Sequence, residues 1–414
     1  MDHTFNLFRR VWAASALALI AATWPLWTPQ HLFPQVPIAV GLGRLPDVID
    51  WFALGSMLLS LAAIFAAPLK STLWQRGLVV FVLAAVLLMA IDQHRFQPWA
   101  YQFALIAVVL TTAKPSAAFQ LLRWLTIGIY LWSAWSKCDV TFTHNLGQQI
   151  LNALLSWSHF EAWPKLSRLV LASLFPTAEL AVAILLCFPR QWSKAVWGSV
   201  ALHGLLIVAL GPLGLHHKPG VLIWNVYFIA QNLLLFRKPP LSAAPEEGLP
   251  QDEPLPATAL YVVCAALAWP LVEPWNYCDH WPAWSVYAPR VERTSFFVHR
   301  ADKDRLPPSI QPFLEPATDD ENWFLIRLDR WSLDMLDAPL YPQNRFQVGC
   351  ALGIIRQFGL SQVRVVCYGP ADRWTGERQS VTFSGLGELE AGTKGYALGT
   401  RAVRPLALNT GTDR

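Results

Sequence analysis

Charged side chains are scarce in this chain. Asp, Glu, Lys and Arg make up 14% of its 414 residues, against about 25% in an average soluble domain. The 32 basic and 28 acidic residues nearly cancel, and no basic run offers a footprint for nucleic acid, which is therefore not an expected partner. None of the six cysteines forms a C-x-x-C pair, so neither a thioredoxin-like motif nor a zinc site has support, and no metal is expected. The first ten residues and the apolar segment behind them have the form of a signal peptide. However, Trp24-Pro25-Leu26-Trp27 lacks a small-residue cleavage site, so the first helix is read as retained. There is no internal repeat and no pair of Gly/Pro-broken spans, which weighs against a transporter.

What the chain has instead is apolar length. It is 54% hydrophobic with a mean hydropathy of +0.33. Apolar runs fill residues 11–273 and then stop. A bilayer core about 30 Å thick needs about 20 apolar residues per helix, and inside it every backbone amide must be bonded internally, which selects helices. Nine spans are expected, at 11–27, 48–67, 77–91, 99–113, 119–136, 169–188, 195–210, 220–236 and 258–273. The fold class is thus an all-α polytopic membrane bundle with a small C-terminal α+β extramembrane domain. Many of the 21 Trp are expected in interfacial belts.

Lys and Arg set the orientation. With the N-terminus cytoplasmic, Arg9, Arg10, Lys70, Arg76, Lys114, Arg190, Lys194, Arg237 and Lys238 lie inside, and Arg44, Arg95, Lys137, Lys165, Arg168 and Lys218 outside. This excess predicts a multi-pass protein of the cell (inner) membrane with an extracytoplasmic C-terminal domain. The domains are residues 1–238 for the first eight spans, 239–257 for a Pro- and acid-rich linker, 258–290 for the ninth span and an aromatic neck, 291–390 for the outer domain and 391–414 for a frayed tail. Residues 146–160 read as an amphipathic helix at the outer interface, and the neck, 275–287, as packed on the bilayer surface. Alternating runs at 294–299, 323–329, 362–368 and 379–383 predict strands, with a helix at 346–358. Cys350 and Cys367 share that domain and are the pair expected to bridge in an oxidising compartment.

Ionisable groups inside spans are costly and point to function. Glu179 and His203 fall near the middle of antiparallel spans six and seven and are expected to face each other or a shared cavity. Asp92, His94, Lys137 and Asp139 lie toward the outer side, and Asn225 just inside span eight. These residues form the expected cavity network, with Asp92, Asp139 and His94 as the groups that could pair with Lys137. A Glu–His pair can equally hold two helices together, and a lysine at a span end can snorkel.

One stretch sharpens this set. Residues 130–139 (YLWSAWSKCD), followed by Gly147, resemble the "Tyr, several small or apolar residues, Lys, apolar, Asp, then Gly" segment of the horizontally transferred transmembrane (HTTM) group. That group includes vitamin K-dependent gamma-carboxylase and, more distantly, DoxX/MauE-like proteins. The resemblance covers about residues 1–290 and places Lys137 where the carboxylases have a catalytic lysine, implied to act as the base for quinol oxygenation. A desolvated lysine can do this because burial disfavours its charged form. It also implies a quinone as the cofactor. The carboxylases carry an Asn-His pair before the aromatic corresponding to Tyr101, where this chain has Pro98-Trp99, and a large lumenal region with no counterpart here. What carries over is the scaffold and the lysine, not glutamate carboxylation.

Two readings stand side by side. One is an HTTM/DoxX-like membrane protein with an outward-facing polar cavity for a quinone or lipid, redox-linked. The other is a non-catalytic anchor that presents the C-terminal domain to a protein partner.

Overall fold

The computed structural model describes residues 2–29, 33–237, 255–275, 277–318 and 320–396. Its first part is helical: α1 Asp2–Ala22, the single turn α2 Trp24–Trp27, α3 Asp47–Ala66, α4 Leu73–Ile91, α5 Pro98–Thr112, α6 Pro115–Lys137, α7 Gly147–Leu155, α8 Lys165–Leu186, α9 Trp192–Leu210, α10 Pro219–Leu235 and α11 Ala257–Ala268. Prolines open α5, α6 and α10 in the first turn, where the missing N–H has no helical partner to lose. Among the described residues, six helical stretches are long and apolar enough to cross a bilayer: Asp2–Ala22, Asp47–Ala66, Leu73–Ile91, Lys165–Leu186, Pro189–Leu210 and Ala257–Trp275. α5 and α10 are apolar but shorter. α6 carries Arg123 and Lys137 and is not among the six.

Large apolar side chains point outward along these helices, with Phe52, Leu59, Leu83 and Trp197 each exposed. Water would penalise that surface, whereas acyl chains match it. The inward faces interlock: α3 packs on α4, α8 on α6 and α9, and α1 on α3 and α10.

The C-terminal part is a five-stranded antiparallel sheet in the order β2-β3-β1-β4-β5, formed by β1 Arg293–His299, β2 Leu314–Pro316, β3 Trp323–Ile326, β4 Val363–Tyr368 and β5 Ser380–Ser384. Phe296 pairs with Ile326 on one side and Val365 on the other, and all three are buried, as the two-residue strand period requires. Helices α12 Leu328–Leu336, α13 Asn344–Phe358 and α14 Gly385–Gly392 complete the domain.

Three expectations need correction here. The strand foreseen over 323–329 stops at Ile326, because Leu328, Trp331, Ser332 and Leu336 bury at helical spacing and make α12. Its Trp331 reaches Phe33, with ring centroids 4.7 Å apart. Cys350 and Cys367 are both buried free thiols. Cys350 lies one helical turn after Phe346, whose ring meets His94 of the bundle, whereas Cys367 on β4 faces Thr294. Finally, α14 continues to Gly392, so ordered structure runs past 390. Residues 238–254 of the linker and 397–414 lie outside the described residues.

The domain is tied to one end of the bundle. Lys218 Nζ donates to Asp337 at 2.7 Å, Arg345 Nε to Gln93 Oε1 at 2.8 Å, Val140 N to the Arg373 carbonyl at 2.9 Å, and an Arg373 guanidinium N–H to the Trp135 carbonyl at 2.7 Å.

Candidate functional site

Lys137 is the last residue of α6, and Ser133 stands one turn before it on the same face. Across from them α8 carries Glu179, three residues after Pro176 inside that helix. An interior proline frees a carbonyl and loosens the helix locally. Lys137 Nζ meets both Glu179 oxygens, at 3.0 and 3.1 Å, and Ser133 Oγ at 2.6 Å. Both charged side chains are buried. A lysine ammonium has three hydrogens and no lone pair, so in this arrangement Lys137 offers a substrate charge and not a free base. The carboxylate that meets its ammonium is Glu179; the side chains of Asp92, Asp139 and His94 bond elsewhere, and Asp139 touches Lys137 only through its backbone N–H, 2.9 Å from the Lys137 carbonyl.

A second chain of hydrogen bonds begins one turn earlier on α6. Asn232 Nδ2 donates to the Tyr130 hydroxyl at 2.7 Å, and that hydroxyl lies 2.6 Å from His203 Nε2. On its other side, His203 Nδ1 lies 2.7 Å from Asn225 Oδ1, while Asn225 Nδ2 donates to the Val221 carbonyl. These partners fix the direction. Nδ1 carries the hydrogen and donates to Asn225, and Nε2 accepts from Tyr130, which is the neutral imidazole with one tautomer.

Both networks open onto one cavity of about 70 Å³, lined by Tyr130, Ser133, Lys137, Glu179, His203 and Asn225 and otherwise by apolar side chains, with Trp284, Val286 and Tyr287 closing it from the neck. That space holds a few waters. Trp284 and Tyr287 have φ of 59° and 57°, a left-handed conformation that is uncommon for bulky residues. The neck therefore packs on protein: Trp284 lies on Tyr101 and Trp281 on Tyr341, although Trp275 and Tyr277 remain exposed. Trp224, Val286 and Tyr287 also wall a neighbouring cavity of about 440 Å³ that contains His217 and Lys218.

The structure thus brings together Lys137, Glu179, His203 and Asn225, and leaves three expected residues elsewhere. Asp92 accepts from the backbone N–H groups of His94 and Val36. His94 Nε2 lies 3.0 Å from the Pro339 carbonyl of the C-terminal domain. Burial raises the Asp92 carboxyl to about 6 and lowers the His94 imidazole to about 4. Asp139 caps the next turn, accepting from Phe142 N at 2.8 Å and from the Thr141 hydroxyl. All three order backbone at the junction.

Ser133 and Asn232, the latter also donating to Ser199 Oγ at 3.1 Å, are residues of the two networks that sequence reasoning missed, and it gave Tyr130 no place in the cavity. Tyr130, Ser133 and Lys137 stand at i, i+3 and i+7, which is one helix face and was readable. Asn232 stands seven residues after Asn225 in a mostly apolar helix that also buries Gln231, an equivalent signal. Between Thr141 and α7 the chain makes a π-turn, Phe142–Leu146, a distortion frequent at functional sites. It brings Gly147 so near Ala172 that an added Cβ would lie 2.9 Å from the alanine methyl. No protein-family model, curated protein or solved structure matches this chain.

Proposed function

We propose that this chain is a membrane-embedded protein that binds the polar head of a lipid-soluble, oxygen-bearing molecule, a quinone or a lipid, at the Lys137–Glu179 pair. The observation that supports it most is the convergence of Tyr130, Lys137, Glu179 and His203 from three helices on one small cavity with apolar walls. Ligand pockets in general combine mostly apolar walls with a few placed polar groups. Trp284, Val286 and Tyr287 line the cavity from the neck, and the left-handed backbone at Trp284 and Tyr287 is what sets their side chains there. The Tyr130–His203 hydrogen bond beside the cavity suits proton exchange with a bound ligand, and Asn232 and Asn225 hold those two groups in place. For Lys137 to act as a base, Glu179 would first have to release it. Membership of the HTTM group, nine crossings, a cytoplasmic N-terminus and an inner-membrane location belong to the same proposal. Tyr130, which opens the family-like stretch, and Lys137 within it both line the cavity, which agrees with it.

The anchor reading is less favoured. The C-terminal domain is held to the bundle by Lys218–Asp337, Arg345–Gln93 and Arg373–Trp135, which suits a cap better than a tethered module. The deciding experiment is native mass spectrometry of the detergent-purified protein and its Lys137→Met variant. A quinone or lipid retained by the wild type and lost from the variant supports the site. Equal retention by both removes it.

A further inference from the structure

Along the seam between bundle and domain lies a groove remote in character from the closed cavity. Its first compartment, about 590 Å³, is lined by Thr141, Asn145, Arg293, Tyr368 and Arg378 among others. Its second, about 360 Å³, is lined by Leu146, Trp281, Val291, Leu340 and Pro342. The two share Asn145 and Pro289, so the groove runs from a basic end to an apolar end.

The basic end carries excess positive charge. The Arg293 guanidinium lies 5.0 Å from the Tyr368 ring centroid and, among the described residues, has no carboxylate partner. Arg378 is built into the wall by donating to the carbonyls of Pro289, Val291 and Gly369. Burial, with Arg293 and Arg290 as neighbours, lowers Arg378 to about 10. Among acids of the surrounding segments, Glu273 is engaged by Arg290 and His280, Glu292 by Asn344 N, Asp139 by Phe142 N, and Asp372 by the N–H groups of Trp374 and Thr375, while Glu377 follows Asp372 in the loop before Arg378. None of them lines the groove. Opposite the arginines, the π-turn after α6 presents the exposed side-chain amide of Asn145. Gly376, whose φ of +75° favours glycine, faces Thr141 from the opposite loop.

We infer that this groove binds a phosphate-bearing lipid of the adjoining leaflet, with its phosphate on Arg293 and Arg378 beside Asn145, and its acyl chain over Leu146, Trp281 and Leu340. Charge decides the occupant. Two guanidinium groups with no acid between them match a phosphate, which arginine holds through paired, charge-assisted bonds. The apolar continuation matches a chain and not a free ion. The groove starts at Thr141, four residues beyond the end of α6. This inference is independent of the Lys137–Glu179 reading.

The test uses the full-length protein, delipidated in detergent and titrated with dioctanoyl phosphatidic acid. Dioctanoylglycerol serves as the phosphate-free comparator and inorganic phosphate as the competitor. Phosphatidic acid is expected to bind at least about tenfold more tightly than dioctanoylglycerol, the difference a charge-assisted bidentate contact supplies. Arg293→Gln is expected to remove that preference, and Leu340→Gln to weaken both lipids. Asn145→Asp, which sets a negative charge beside the phosphate from the other wall, is expected to act as Arg293→Gln does, so a folding defect in one variant does not decide the result. Equal affinity for the two lipids overturns the inference, as does an unchanged preference in Arg293→Gln and Asn145→Asp. Displacement by inorganic phosphate at equal concentration would make this a free-anion site and overturn it equally.

Discussion

Two of the buried ion pairs, Arg95–Asp50 and Lys137–Glu179, differ in what surrounds them. Arg95 donates to Asp50 at 2.6 Å and to the carbonyls of Leu26 and Thr28, with both charged side chains wholly buried. It lines none of the cavities described above. Asp50 lies in the first turn of α3, where the helix dipole favours a carboxylate. That pair joins helix ends. Lys137–Glu179 is nearly as buried, yet it faces open space together with Tyr130 and His203. Burial of charge by itself therefore does not mark a functional group. A cavity beside it does.

The largest effect expected from breaking this comparison is at the strut. Arg95→Met removes the arginine charge from the buried Asp50 carboxylate, which costs about 3–5 kcal/mol. Thermal unfolding in detergent should show the variant far below wild type, with the C-terminal domain no longer docked. A wild-type melting temperature would mean that Asp50 finds water or another donor.

Lys137→Met should cost less, about 1–3 kcal/mol, because the cavity lets water reach Glu179. Adding Glu179→Gln should recover most of that stability without recovering retained ligand. If the double variant is as unstable as Arg95→Met, the cavity does not hydrate its pair and the contrast fails. Tyr130→Phe removes the hydroxyl between Asn232 and His203 and is expected to cost about 1 kcal/mol, with a loss of retained ligand larger than the loss of stability. The reverse order would make Tyr130 a packing residue.

The smallest effect concerns pH at the junction. His94 is lowered to about 4 from an ordinary 6.5, so the unfolded chain binds more protons between those values, and stability falls as pH drops through that window. Asp92 is raised to about 6 from 3.8, so its contribution is present at low pH and lost as pH rises toward 6. The two slopes oppose each other. Asp92→Asn keeps an acceptor for the N–H groups of His94 and Val36 and removes one slope. Its melting temperature should decline between pH 6.5 and 4 more steeply than that of wild type. Parallel curves would show that the two groups do not titrate as their burial implies.

Much of this was readable from residues alone. Runs of about 20 apolar residues leave no alternative to helices in a bilayer, so the apolar runs map onto α1 to α11. Period-two alternation at 294–299 and 362–368 located β1 and β4 to within a residue at each start. The placement of Glu179 and His203 at matching depth in antiparallel helices followed from counting. By contrast, α12 was hidden because its apolar residues continue directly from β3, and only the contact of Trp331 with Phe33 rewards helical spacing there.

Sequence by itself determined where the chain is apolar, which helices it forms and which of them carry an ionisable side chain at depth, because hydropathy and backbone hydrogen bonding are local properties. Which of those groups meet was decided by tertiary structure. Lys137 pairs with Glu179, 42 residues away, and not with Asp139 two residues away, because α8 packs against α6 while Asp139 turns to cap the following backbone. Helix packing, through side-chain shape on both partners, assigns such contacts, and no single segment contains that information.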